Sequence, residues 1–319
     1  MKKKLIWLCI IGIVIVNAIA FMHAYRFTHF SDDGVRTNPD HLSVGDKFII
    51  LVTGVKNPRP IHKESPDTVY QTITIKSDVS LEAWEIAVRK PKGTIIMFHG
   101  YSGEKSSLLS RALQFRKLGF NTMLVDFKGS GGSEGNTTTI GFDESQEVID
   151  CINHLRNKGE QNIHVFGTSM GAAAILKALS ETDIHPTSAI LECPFGRLDQ
   201  TVAARFRIMG VPAFPLSDLL TFWGGVQNGY WAFSHNPQEY AAHVHCPTLL
   251  LFGERDDRVS RGETDTIFKN IKGHKELITY PDLGHTIFTE ENRDQWTADV
   301  SSFLQHVESR SLHSSDGSE

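Results

Sequence analysis

The chain has 319 residues, 40% of them hydrophobic and 22% charged, with a net charge of -5 and a pI near 6.3. That is enough for one large domain with a sizeable core or two small ones. It excludes a disordered chain, and the absence of a basic stripe with interleaved aromatics argues against a nucleic-acid partner. The four cysteines, Cys9, Cys151, Cys193 and Cys246, show no C-x-x-C or Cys/His metal spacing, so no zinc site is expected. A Cys193–Cys246 disulfide is left open by the sequence.

Residues 1–27 begin with Lys2, Lys3 and Lys4 and continue as an apolar run from Leu5 to Met22, broken only by Gly12 and Asn17. The run is near the length of a membrane span. Two readings compete: an uncleaved anchor with its lysines held in the cytoplasm, and a signal peptide cleaved after Ala18-Ile19-Ala20. The apolar run passes that site, which favours the anchor. Either reading places the rest of the chain on the non-cytoplasmic side of a membrane, anchored or exported. Residues 28–67 are irregular and proline-bearing and read as a connecting arm with a short helix near 42–53.

From 68 to 309 the chain alternates strands and helices. Residues 69–77 and 79–88 alternate apolar and polar positions around a tight Ser77-Asp78 turn and predict an antiparallel hairpin. Continuous apolar runs at 93–100, 121–127, 162–167, 187–193, 246–253 and 274–281 predict buried strands. Helical spacing marks 107–119, 143–158, 169–181 and 292–309, the second with acidic residues in its first turn, as the helix dipole favours. Strand–helix units with continuously apolar strands predict an α/β fold: an essentially parallel sheet of about eight strands, covered on both faces. One stretch breaks the alternation. Residues 194–244 are rich in Phe, Trp, Tyr and Pro and read as a mainly helical cap inserted between two core strands. The polar, Ser-rich tail at 310–319 is expected to be disordered.

Ligands of such sheets bind at the carboxyl ends of the strands, and four marked stretches fall there. Gly167-Thr168-Ser169-Met170-Gly171 lies between a strand and a helix, the setting of a G-x-S-x-G nucleophile elbow. A Ser that merely caps an ordinary helix is the plain alternative. His99-Gly100-Tyr101 follows an earlier strand; the Tyr101 and Met170 N–H groups together would form an oxyanion hole. Asp256, with Asp257 as its rival, follows Gly253 at another strand end and could orient a His, although five consecutive charged residues (Glu254 to Arg258) usually form a solvated loop. His285 follows the last strand and a Gly turn. His274 precedes its strand and lies on the wrong edge, and His99 is placed for loop structure rather than base chemistry.

The order Ser169, Asp256, His285 is that of the α/β-hydrolase triad. Over roughly residues 68–308 the sequence resembles the α/β-hydrolases of the serine-hydrolase kind, in particular the monoacylglycerol-lipase-like and serine-aminopeptidase-like branch. The stretch DFKGSGGSEG (126–135) is similar to the D-x-R-G-x-G-x-S-x-G loop of these enzymes, with Lys128 in place of the usual Arg. The resemblance implies an α/β-hydrolase fold and an enzyme that cleaves a carboxylic ester, a lipid included, through an acyl-enzyme on Ser169. No cofactor or metal enters that chemistry. A thioesterase, amidase or peptidase is the alternative within the fold; a peptidase recognising a free amino terminus would want acidic residues near the cap, for which Glu192, Asp199 and Asp218 are available. A non-catalytic binding protein on the same scaffold is the alternative outside it.

Overall fold

The computed structural model describes residues 2–32, 44–208 and 210–315. Its centre is one eight-stranded sheet in the order β1-β2-β4-β3-β5-β6-β7-β8. The first two strands, β1 (Gln71–Lys76) and β2 (Ser80–Ile86), form the expected hairpin, and β2 also runs antiparallel to β4 (Asn121–Val125). The remaining pairings, among β3 (Thr94–Phe98), β4, β5 (Ile163–Thr168), β6 (Ser188–Glu192), β7 (Thr248–Gly253) and β8 (Lys275–Tyr280), are parallel. The strands that read as unbroken apolar runs are the central ones. Every residue of β3, β6 and β7 is buried, as a strand covered on both faces requires.

Helices supply the two covers. On one face α4 (Glu144–Asn157), α5 (Met170–Glu181) and α9 (Arg261–Asn270) pack through Val148, Ile152, Ala172, Leu176 and Ile267. On the other, α3 (Leu109–Lys117) and α10 (Arg293–Ser315) pack through Phe115, Trp296, Phe303 and Leu304. Trp296 is fully buried, its ring edge-on to Phe115, Phe166 and Phe288, and its indole N–H donates to Glu192 at 2.8 Å. The sequence pattern did not reveal α9. Only Thr264 and Ile267 are buried along it, too few for a visible apolar stripe. Its signal is chemical instead: Ser260 and Glu263 form a capping box. At the other end of the domain, α10 continues past the expected boundary at 309 to Ser315. Residues 316–319 of the expected disordered tail lie outside the described residues.

Two parts lie on top of this sandwich. Between β6 and β7 the chain forms the helical insertion: α6 (Leu198–Ile208), α7 (Leu216–Asn228) and the short α8 (Pro237–Tyr240). Its root is anchored by Phe195, Leu198 and Val202 against Ala173 and Phe252. The second part is the N-terminus. Helix α1 (Lys2–Thr28) is one continuous helix, long and apolar enough to span a membrane, and α2 (Val44–Thr53) is the short helix of the arm; residues 33–43 lie outside the described residues. The C-terminal half of α1 lies along α7. Trp223 donates its indole N–H to Asn17 at 3.2 Å, Gln227 donates to the Phe21 carbonyl at 2.8 Å, and the Phe21 and Trp223 rings meet edge to face at 5.3 Å. Ala20 and Ala24, the small residues on that side, are buried. From Leu5 to Val16 the large apolar side chains are exposed.

Candidate active site

The sheet reverses its direction of winding at β3. The connection through α3 leads to β4 on one side, and α4 returns the chain to β5 on the other. In an open α/β sheet this switch point creates a crevice at the carboxyl ends of the strands. Residues Phe98 and Gly167 stand side by side there, so the loops that follow β3 and β5 face each other across it.

Ser169 terminates β5 and begins α5 at φ 49° and ψ -107°, a conformation that costs a non-glycine residue roughly 1–3 kcal/mol. The surroundings force it. A Cβ on Gly167 would lie 2.6 Å from the Gly171 carbonyl carbon, and one on Gly171 would lie 2.5 Å from the Phe98 carbonyl oxygen. Strand, turn and helix therefore approach more closely than any side chain allows, and Ala172, Ala173 and Ala174, all fully buried, continue the close contact. Ser169 makes no side-chain cap to its own helix, which removes the ordinary N-cap reading. Its hydroxyl instead meets His285 Nε2 at 3.0 Å.

His285 lies in the loop after β8, and its Nδ1 is 2.7 Å from Asp256 Oδ2. The other oxygen of Asp256 accepts the backbone N–H groups of Arg258 (2.8 Å) and Val259 (3.0 Å). Burial opposes the charge on Asp256, but the hydrogen bond and charge of His285 and the two amides outweigh it and hold the carboxyl below its usual range. An ionised acceptor at Nδ1 fixes the proton there and leaves Nε2 free to accept from a hydroxyl. Asp257, the sequence rival, is exposed; it is Asp256 that meets the histidine. Cys193 shares this corner: its thiol, Asp256 and His285 bring atoms within 4.8 Å of one another. Burial, then the Asp256 charge, pushes that thiol well above its ordinary pKa, so it stays a neutral neighbour. All four cysteines are free thiols, Cys193 and Cys246 included.

The loop after β3 supplies the opposite wall. His99 is fully buried, with Nδ1 2.8 Å from the Gly100 carbonyl and Nε2 accepting the Phe127 N–H at 3.1 Å. Burial lowers its pKa, so a neutral imidazole ties two loops together. Tyr101 follows, and among the described residues neither its amide nor that of Met170, the first residue of α5, donates to an internal acceptor. Two uncommitted amides flanking Ser169 at a helix N-terminus suit developing negative charge. His274 bonds to Glu276 at 3.1 Å, before β8 and away from the serine.

Behind this wall lies a cluster that the sequence did not single out. Fully buried Lys105 reaches Asp126 Oδ2 at 2.5 Å, Glu82 at 2.6 Å and His62 Nε2 at 2.8 Å, and lies 4.5 Å above the Trp84 ring. His62, Glu82 and Asp126 have a ligand-like arrangement, but the ammonium already supplies the positive charge at its centre. Asp126 opens the stretch that carries Lys128, and the arm grips the same stretch: the Arg59 guanidinium donates to the carbonyls of Gly131, Ser133 and Gly135.

Ser169 and His285 open into a cavity of about 570 Å³. Its walls come from the β3 loop (Gly100, Tyr101), from Arg111 and Glu192, from the cap (Arg205), and from Val55 to Pro58 of the arm. The arm is thus part of the site. Tyr101 donates its hydroxyl to the Phe27 carbonyl (2.7 Å), accepts from the Asn57 amide (2.8 Å) and stacks on the Phe27 ring at 4.7 Å.

Comparison with known proteins agrees with this architecture. The family model described as serine aminopeptidase, S33, matches residues 89–223. The esterase Pf2001 of Pyrococcus furiosus superposes with a TM-score of 0.67 at 24% identity, over 78% of this chain and 96% of its own. The chain has the α/β-hydrolase fold. An esterase from Exiguobacterium antarcticum has the same fold, with a TM-score of 0.57 at 17% identity, over 74% of this chain and all of its own. Among sequence relatives, the protein YqkD of Bacillus subtilis is 27% identical over 231 residues, 71% of this chain and 76% of its own length. The match to the family model supports an enzyme of the hydrolase class, and the two solved structures show the fold.

Proposed function

We propose that this α/β-hydrolase is a serine esterase. The observation that carries the reading is the continuous bonded chain Asp256–His285–Ser169, at 2.7 and 3.0 Å, ending on a strained elbow that faces a cavity. A free hydroxyl is a weak nucleophile and needs the adjacent base. His285 Nε2 takes the Ser169 proton as Oγ bonds to the ester carbonyl carbon. The Tyr101 and Met170 amides hold the resulting oxyanion. His285 returns its proton to the leaving alkoxide, the alcohol departs, and an acyl-enzyme remains. Water then gives a proton to His285 and its hydroxide to the acyl carbon; collapse releases the acid and reprotonates Ser169. Asp256 keeps the Nδ1 proton in place and stabilises the imidazolium.

An ester is preferred over a peptide with a free amino terminus because the carboxylates near the cap are engaged. Glu192 is gripped by Arg111 through contacts of 3.1, 3.1 and 2.8 Å and also accepts from Trp296. Asp199 pairs with Arg197 at 2.9 Å. Asp218 has no ion-pair partner among the described residues, but it is exposed on α7 and does not line the cavity in front of Ser169, where Glu192 is the one carboxylate.

We further infer that α1 stays attached as a membrane anchor. Cleavage after Ala20 would remove Asn17 and Ala20, which make specific contacts with α7. The enzyme then works beside the membrane rather than free of it.

Fluorophosphonate labelling of the full chain in detergent, followed by peptide mapping, tests the esterase reading. The adduct is expected on Ser169 and absent from Ser169→Ala. A folded protein that takes no label would refute it and favour a binding protein on a hydrolase scaffold.

A further inference from the structure

The cavity in front of Ser169 has an unbalanced wall. Lys56, Arg111, Arg205 and Arg258 line it, against one carboxylate, Glu192. Arg111 and Glu192 neutralise each other. Of the other three cations, Arg205 and Arg258 carry guanidiniums. Arg205 projects from α6 of the cap, half-buried, its guanidinium 5.3 Å from the Phe27 ring and 5.6 Å from the Tyr101 ring. Among the described residues it has no carboxylate partner; the charged group that bears on it is Arg258, which arrives from the loop carrying Asp256 and repels it.

A guanidinium that is partly desolvated, shares a cavity wall with a second one and has no carboxylate partner among the described residues is at a disadvantage. Its charge can never be relieved by deprotonation. Aromatic faces offset only part of the cost. Such a pair is instead a receptor: two planar five-donor forks can hold the oxygens of one phosphate bidentately. The two arginines also come from different parts of the chain, the cap and the loop between β7 and α9, so an anion between them would draw the cap toward Ser169.

Resting on the esterase reading, we propose that Arg205 and Arg258 form an anion subsite beside the nucleophile, and that the substrate is an acyl ester whose alcohol portion carries a phosphate. The substrate's phosphate would lie between the guanidiniums while its ester carbonyl faces Ser169. Arg205 and Arg258 are then specificity-determining residues; the bonds made and broken are those already described, with a phosphate-bearing alcohol as the leaving group.

A charge series with one acyl chain tests this: octanoyl esters of glycerol 3-phosphate, of glycerol and of choline, compared by kcat/KM with the full-length enzyme in neutral detergent. The phosphate ester is expected to exceed the glycerol ester by at least about tenfold and the choline ester to rank last. The preference should shrink as salt rises, since the subsite opens to solvent. In Arg205→Gln, and more so in Arg205→Gln/Arg258→Gln, the phosphate-to-glycerol ratio should fall to within about threefold of unity. Arg205→Lys should keep part of it, and Arg258→Gln, on an exposed residue, reads the same ratio without touching the half-buried one. Labelling of Ser169 by fluorophosphonate, with equal turnover of the phosphate and glycerol esters, would overturn this inference and leave the esterase reading standing. No label and no turnover of any ester would overturn both.

Discussion

The two halves of the cavity in front of Ser169 are built by different means. The half at the sheet ends, with Ser169, Asp256 and His285, follows directly from strands that deliver their loops to one edge. Backbone fixes most of it: the elbow by glycines that admit no Cβ, Asp256 by two amides, and the neighbouring His99 by a carbonyl and an amide, while His285 is held between Asp256 and Ser169. The half made by the arm, α1 and the cap is fixed by side chains that reach across long sequence separations, Tyr101 to Phe27 and Asn57, Trp223 to Asn17, and Arg59 to the 131–135 loop. The first half resembles a chemical engine common to a fold; the second individualises it. If the contrast is right, substitutions in the first should abolish turnover, and substitutions in the second should alter stability and substrate preference.

The largest effect is expected from the nucleophile. Ser169→Ala should lower kcat by about 10⁶, the scale seen when a triad serine is removed, with little change in melting temperature. Asp256→Asn should lower kcat by about 10⁴, because an amide at that position offers the histidine the wrong tautomer. Asp257→Asn, one residue away and exposed, should stay within a few-fold of wild type. A steady-state assay on a soluble acyl ester distinguishes the two neighbours, and equal losses in both would break the assignment of the orienting carboxylate.

The same contrast decides what could be read in the sequence. The strands were legible because full burial leaves an unbroken apolar run, and the elbow because glycine is the one residue its geometry accepts. The triad followed from chain order and strand-end placement. By contrast, α9 has only a thin buried stripe, so periodicity could not reveal it, although Ser260 and Glu263 carried the capping signal. The arm read as a linker because its contacts depend on single residues, Asn57, Arg59 and His62, that meet distant partners and follow no period. Arg205 is one of three charged residues in α6, with Asp199 and Arg207. Nothing in the local sequence distinguishes an arginine facing a cavity from one facing water.

Where the halves join, Asp126 is the test. Burial raises its pKa, but the His62 contact and the Lys105 charge pull it down further, well below the ordinary carboxylate range. A carboxyl with a depressed native pKa stabilises the fold above its unfolded value, near 4, and that contribution is lost as pH falls toward the native value. Asp126→Asn leaves the fully buried Lys105 with Glu82 as its remaining carboxylate. It should cost about 3 kcal/mol at pH 7, on the scale of breaking a buried pair, and the gap to wild type should narrow progressively below pH 4. Chemical denaturation at a series of pH values measures it. A gap independent of pH would mean that shape, not charge, holds this junction.

The finest distinction falls on Tyr101, which belongs to both halves. Its backbone amide flanks Ser169, whereas its hydroxyl and ring hold Phe27 and Asn57. Burial pushes the phenol far above its ordinary pKa, so the hydroxyl is a permanent donor to the Phe27 carbonyl. Tyr101→Phe removes that donor and the acceptor for Asn57 while leaving the amide, the ring stack and the elbow in place. The expected cost is about 1 kcal/mol of stability, the worth of a typical internal hydrogen bond, with kcat changed by less than about fivefold. The stability loss should add only in part to that of Asn57→Ala in the double variant, because both remove the Asn57–Tyr101 bond. Additive losses would show that the arm does not grip the site through this hydroxyl. A large fall in kcat from Tyr101→Phe alone would show instead that holding the arm is what keeps the oxyanion amide in position, and the two halves would then work as one.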